Sequence, residues 1–348
     1  MVERRPHGGD TPDDAVDFSA SLNPLGPPES VRRILQERLD LTSYPYDLRA
    51  SLRETIANKH GLPPERVLIG AGTSGLLQTL LQGLQGRRLS VCVPTFTEYE
   101  DLGRSCGWDL VTHRYFPPYQ QRGNSRSQWF TDSDAVVICN PNNPSGTVVG
   151  LQTMLDWVTQ ASRKGTKFIV DEAYMPFLSG KRNTSLAGKV TEYDNLILLR
   201  SFSKFYGIPG LRVGYLLSSP PTVSRLRTGQ NPWPVGEPAL RGALQCLRAD
   251  SFADRTRSFI QGERQRVLEK LQSIPNLEVI DSDVNYILFK TSVDDLRGAM
   301  QEHSLYLRDA STFTGLGQGW FRLSLRERSD NDRLIDTLKS LHEDPSLV

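Results

Sequence analysis

Long apolar runs are missing from this chain. None approaches the ~18 consecutive residues that a membrane-spanning helix needs. The first seven residues, Met1 to His7, lack the apolar stretch of a secretory leader. Charge of one sign is missing as well: 41 basic against 40 acidic residues leave a net charge of +1. Such a balance gives no electrostatic footprint for nucleic acid or an anionic membrane. Cysteine is sparse. Cys92, Cys106, Cys139 and Cys246 stand without metal or redox spacing, and Cys92 and Cys139 fall inside apolar strand-like runs, where buried thiols are common. The five histidines show no paired spacing either. Internal repeats, low-complexity blocks and long linkers are all absent. A cytoplasmic, metal-free enzyme is the expectation that remains.

What is present is an alternation. The 348 residues suffice for one large core and a smaller companion domain. Apolar runs at Val67–Gly70, Leu89–Val93, Ala135–Cys139, Phe168–Val170 and Leu196–Leu199 read as strands, and Leu76–Leu84 has helical period. Strands separated by helices predict right-handed crossovers and an α/β fold with a mainly parallel sheet. Ligands on such sheets bind at the carboxyl ends of the strands. After Tyr215 the pattern changes. Roughly Pro238 to Leu271 reads as charged helix, Leu277–Ile280, Tyr286–Phe289 and Trp320–Leu325 as strands, and Asp330–Leu341 as a last amphipathic helix. We therefore expect an N-terminal segment (1–45) packing with a small domain, a large domain (46–235), and the small α+β domain itself (236–348).

Polar clusters follow the strand-like runs one after another. Ser201, Ser203 and Lys204 come after Leu196–Leu199, with Arg212 eight residues beyond the lysine. Asp171 and Tyr174 come after Phe168–Val170, and Asn143 follows Ala135–Cys139. Together these are what a protein needs to hold pyridoxal phosphate (PLP): a lysine to condense with the aldehyde and a carboxylate for the ring nitrogen. Asn143 and Tyr174 suit the ring hydroxyl. Phe96, after the run ending at Val93, suits the ring face. Gly72, Thr73 and Ser74 open a helix, where backbone N–H groups meet phosphate, and Ser201, Ser203 and Arg212 would complete that site. Each signal alone has a plain competitor: a surface lysine, a helix-capping aspartate, a core phenylalanine, a good turn at Asn143. Their joint order along one chain is specific.

The chain resembles the fold-type I PLP enzymes, in the branch of histidinol-phosphate aminotransferases and L-threonine-O-3-phosphate decarboxylases. The likeness runs from His7 to about Leu341 and rests on the Ser-x-Ser-Lys stretch at 201–204, the Asp-Glu-Ala-Tyr stretch at 171–174 and the Asn-Asn-Pro-Ser-Gly stretch at 142–146. It implies the PLP-dependent transferase fold with large and small domains, and a homodimer in which Tyr44 reaches the partner's cofactor phosphate. It also implies that Arg322, in the Phe321–Leu323 strand, binds the substrate carboxylate; a bidentate guanidinium suits that task. His7, the Asn23–Gly26 turn and the segment around Arg308 resemble the decarboxylases of cobalamin biosynthesis, where such segments line the substrate pocket. A structural turn competes for Asn23, and a frayed terminus for His7. Ser21, Tyr46 and Gly236 depart from that pattern, which leaves the substrate more open than the cofactor.

Two reactions fit. A decarboxylase must hold the Cα–carboxylate bond perpendicular to the ring, and a transaminase must hold Cα–H there, facing Lys204. A distal anion anchored by His7, Asn23 and Arg308 would turn the substrate towards decarboxylation. The expectation is thus a PLP-dependent carbon–carbon lyase for a small phosphorylated or otherwise anionic L-amino acid, with a histidinol-phosphate type aminotransferase as the alternative. A non-catalytic PLP-binding sensor domain would place a basic DNA-binding segment ahead of the resemblance, which here starts at residue 7.

Overall fold

Why the apolar runs become strands of one sheet is visible in their alternation. The computed structural model describes residues 5, 7–40, 42–115, 132–180 and 183–343. In chain order the first half gives β1 (Val16–Asp17), α1 (Glu29–Gln36), α2 (Tyr46–His60), β2 (Val67–Gly70), α3 (Gly72–Gly83), β3 (Arg88–Val93), α4 (Glu98–Ser105), β4 (Asp109–Arg114), β5 (Ala135–Cys139), α5 (Leu151–Arg163), β6 (Lys167–Asp171), β7 (Leu196–Ser201) and β8 (Gly214–Leu217). Strands β2 to β8 form a seven-stranded sheet in the order β2-β8-β7-β6-β5-β3-β4. All neighbours are parallel except β8, which runs antiparallel to both β7 and β2. Ile138, Phe168, Val170 and Leu198 belong to the core on one face, while Val137, Ile169, Ile197 and Leu199 belong to the core on the other. A sheet buried on both faces explains the near-continuous apolar strands.

The second half gives α6 (Pro220–Gly229), α7 (Glu237–Leu247), α8 (Asp250–Gln272), β9 (Glu278–Val279), β10 (Tyr286–Lys290), α9 (Leu296–Glu302), β11 (Leu305–Tyr306), β12 (Arg308–Asp309), β13 (Trp320–Ser324) and α10 (Arg328–Glu343). Strands β12, β13, β10 and β9 make an antiparallel sheet, and β1 pairs in parallel with β11. Helices α1 and α2 pack on α7. The α/β architecture with a mostly parallel sheet is the expected one. Within the seven-stranded sheet two strands were not expected. β4 is a sheet edge whose residues are mostly half-buried or exposed, so it lacks an apolar run. β8 begins two residues after Arg212, where the reading had already left the sheet.

Register lines up the ends that matter. Cys139 pairs with Asp171 across β5 and β6, and Gly214 pairs with both Ser201 and Gly70. Among the described residues no helix is long and apolar enough to cross a membrane, and no group of His, Cys, Asp and Glu could hold a metal ion.

Candidate active site

Asp171 is the last residue of β6 and is 4% exposed. Its Oδ1 accepts the Ala173 N–H at 2.9 Å, and its Oδ2 accepts the Tyr99 hydroxyl at 2.9 Å. Burial pushes its pKa up to about 6, against the pull of those hydrogen bonds. No lysine or arginine forms an ion pair with it among the described residues. A buried carboxylate in that state favours a cation placed against it.

Lys204 lies three residues past the end of β7, half-buried, at the wall of a cavity of about 440 Å³. Burial lowers its pKa to about 8, with Arg322 and then Arg212 adding repulsion. Its carbonyl accepts the Asn23 N–H at 3.0 Å, which fixes the turn that presents the amine.

The opposite wall comes from the small antiparallel sheet. Arg322 of β13 is 5% exposed and donates from Nη1 to Asn143 Oδ1 at 2.5 Å and from Nη2 to the Ser19 carbonyl at 2.7 Å. With its oxygen so engaged, Asn143 turns its NH₂ into the donor for a ligand. Arg308 stands directly across the strand pair from Arg322 and is 6% exposed. It donates to Thr312 Oγ1 at 3.1 Å and lies over the Phe313 ring. Burial and then Arg322 lower its pKa to about 10. Among the described residues neither arginine has a carboxylate in ion-pair reach. Tyr174 shares a 2.5 Å hydrogen bond with Ser21, and burial pushes its pKa up to about 12.

At the far end, Thr73 and Ser74 occupy the first turn of α3. Gly72 there has φ +73°, and a Cβ on it would meet Arg212 Nη2 at 2.7 Å. Arg212 itself is left-handed at φ 51° and donates from Nη1 to the Pro209 carbonyl. Ser201 Oγ accepts the Ser203 N–H. Phe96 meets the Tyr99 ring edge-on at 5.6 Å, and His7 Nε2 lies 2.9 Å from Glu98 Oε1.

Thirteen residues singled out from sequence line this one cavity: His7, Thr73, Ser74, Phe96, Asn143, Asp171, Tyr174, Ser201, Ser203, Lys204, Arg212, Arg308 and Arg322. Two do not. Asn23 is buried outside it, with Nδ2 donating to the Phe205 carbonyl and to Thr256 Oγ1 and Oδ1 accepting the Leu25 N–H. Its polar side-chain atoms are bonded within the chain, and it does not line the cavity. Tyr44 is 61% exposed and stacks on Trp233 at 4.0 Å. Of the three departures, Ser21 lines the cavity, whereas Tyr46 and Gly236 do not. Sequence reasoning missed Tyr99 and Glu98, both on the first turn of α4, because their partners lie far away in the chain. A motif-rich stretch ending at Tyr99 was the signal to follow.

A strand-end lysine and a buried strand-end aspartate facing a shared cavity on a doubly wound sheet define the fold-type I class of PLP enzymes. The chain belongs to the aminotransferase class I and II family, whose members use PLP; that family's model matches residues 13–338. It is 31% identical to histidinol-phosphate aminotransferase 2 of Archaeoglobus fulgidus over 95% of each chain. It is 29% identical to the threonine-phosphate decarboxylase of Salmonella typhimurium, over 96% of this chain and 93% of that one. The solved structure of the histidinol-phosphate aminotransferase from Clostridium acetobutylicum superposes with a TM-score of 0.86 at 25% identity, covering 94% of this chain and 98% of that one.

Proposed function

We propose that this enzyme is a PLP-dependent decarboxylase of a small phosphorylated or otherwise anionic L-amino acid, most like the threonine-phosphate decarboxylases. The observation that carries the reading is the pair of buried arginines, Arg308 and Arg322, facing one cavity without a carboxylate partner among the described residues. Two uncompensated guanidiniums call for two anionic groups on one ligand.

The residues present fit the cofactor. The buried Asp171 carboxylate, raised towards its neutral form, gains its missing cation from a protonated pyridine nitrogen. Lys204 would be the attachment point, Asn143 and Tyr174 would serve the ring hydroxyl, and Phe96 would cover the ring. Thr73, Ser74, Ser201, Ser203 and Arg212 hold the phosphate at the N-terminus of α3. When bound, PLP supplies the electron sink that accepts the pair released from the substrate Cα. As CO₂ leaves, Lys204 would deliver the one proton that replaces it at Cα; in the aminotransferase alternative it would instead move the Cα proton. Arg322 binds the substrate carboxylate, while Arg308, with His7, orients the distal anion and so fixes which bond stands perpendicular to the ring.

One contact favours the second reading, an aminotransferase of the histidinol-phosphate type. Arg322 is bonded to Asn143. A carboxylate held there would be near the residue assigned to the ring hydroxyl, an arrangement that would favour cleavage of Cα–H rather than of the carboxylate bond. Members of the family are commonly dimeric, and we further propose a homodimer in which the exposed Tyr44 serves the partner's phosphate site. A cytoplasmic role in cobalamin-type assembly or a specialised-metabolite pathway is the setting this reading implies.

The test is to supply the PLP-loaded enzyme with threonine phosphate and histidinol phosphate. CO₂ release without 2-oxoglutarate supports the decarboxylase, and oxo-product formation that depends on an amino acceptor supports the alternative. If neither compound perturbs the cofactor's absorbance, the substrate class is wrong.

A further inference from the structure

Tyr99 touches two of the residues assigned above to the cofactor, Asp171 and Phe96. Its phenol is fully buried, on the first turn of α4. The hydroxyl donates to Asp171 Oδ2 at 2.9 Å, while the ring packs edge-on against Phe96 at an interplanar angle of 85°. The two partners lie 72 residues and 3 residues away in the chain. A single side chain thus ties the end of β6 to the start of α4.

The surroundings of Asp171 make that hydroxyl hard to replace. Cys139 faces the carboxylate from β5, Arg200 from β7, Lys204 from the turn beyond, and Tyr286 from β10, with Glu172 and Tyr174 in its own loop. Arg200 is already paired with Glu172 at 2.7 Å. Among the described residues, Tyr99 provides the one side-chain hydrogen bond that the Asp171 carboxylate accepts. Its own pKa stands well above the ordinary phenol value through burial first, so it remains a donor.

We propose that Tyr99 is a positioning residue that sets Asp171 and Phe96 together, so that the pyridine nitrogen finds its carboxylate while the ring finds its stacking face. This rests on the PLP reading above. Two consequences separate the roles. Removing only the hydroxyl loosens Asp171 and makes its carboxylate easier to protonate, because the phenol hydrogen bond is what favours its charged form. Removing the stacking partner weakens the cofactor's hold without touching that titration.

The experiment measures PLP retention by the holoenzyme across pH, from cofactor absorbance and its dissociation constant. Tyr99→Phe should raise the dissociation constant about tenfold, the size expected for one hydrogen bond to a charged group, and move the acid limb of retention to higher pH. Phe96→Leu should weaken retention at every pH and leave that limb in place. In an Asp171→Asn background, Tyr99→Phe should add no further loss. Should the phenylalanine variant fail to fold, 3-fluorotyrosine at position 99, a stronger donor, should move the limb the opposite way. An unmoved acid limb in the folded variant, or additive losses in the double variant, overturns the proposal. Wild-type protein that takes up no PLP overturns the cofactor reading itself and this inference with it.

Discussion

In the proposed mechanism Lys204 concentrates the chemistry in one amine, and its surroundings decide when that amine can react. A neutral lysine is the nucleophile towards an aldehyde. Because its pKa is lowered to about 8 by burial, Arg322 and Arg212, the neutral fraction rises as pH climbs through that value. Cofactor uptake by the apo-protein should therefore accelerate from pH 7 to pH 9, followed by stopped-flow absorbance. Arg322→Met should shift the midpoint upwards, since one positive neighbour is gone. Turnover of Lys204→Ala should drop about 10²–10⁴-fold, the usual worth of a positioned acid–base group, with folding unchanged by circular dichroism. At this scale the strand-end residues were readable from their joint order after successive apolar runs, since each one alone has a plain competitor. Asn23 is less legible for a physical reason: an Asx turn bonded to the Lys204 loop carries the same letters as a pocket turn. Tyr99 was missed because its role exists only in the contact with Asp171.

Elements show the same division. The start of α3 and the approach to β8 meet at Gly72, whose left-handed φ leaves room for Arg212. Gly72→Ala should cost about 1–2 kcal/mol of stability from the backbone conformation alone, read by chemical denaturation, and should weaken phosphate-dependent cofactor binding by displacing the guanidinium. Beneath the site, β6 and β7 share the buried pair of Glu172 and Arg200 at 2.7 Å, with Glu172 fully buried. Arg200→Met should cost about 3–5 kcal/mol, since it leaves a buried charge uncompensated. Adding Glu172→Gln should recover much of that loss in the same denaturation assay. Central strands declared themselves through apolar runs, whereas β4 and β8 did not. β4 alternates on an exposed edge, and β8 is short and follows a turn already full of polar meaning.

Across the whole molecule the α/β alternation was legible because a sheet covered on both faces has to be written in apolar letters. The proposed second copy rests on the resemblance alone, since an exposed tyrosine reads alike whether it meets water or a partner. Tyr44 and Trp233, stacked at the surface, offer the means to decide. Tyr44→Ala mixed with Lys204→Ala should regain activity that neither has alone, because a hybrid pair contains one site with both residues. Recovery of turnover after mixing and refolding, against each variant by itself, is the measurement.

Arg5 reaches Glu100 and Asp101 on α4 and Thr314 beyond β12, so that His7 and Gly8 close over the same cavity that the late residues Arg308 and Arg322 line. For anyone expressing this protein, where the N-terminus is cut is consequently a choice about that cavity. Trimming past Gly8 would remove two of its lining residues together with the Arg5 tether.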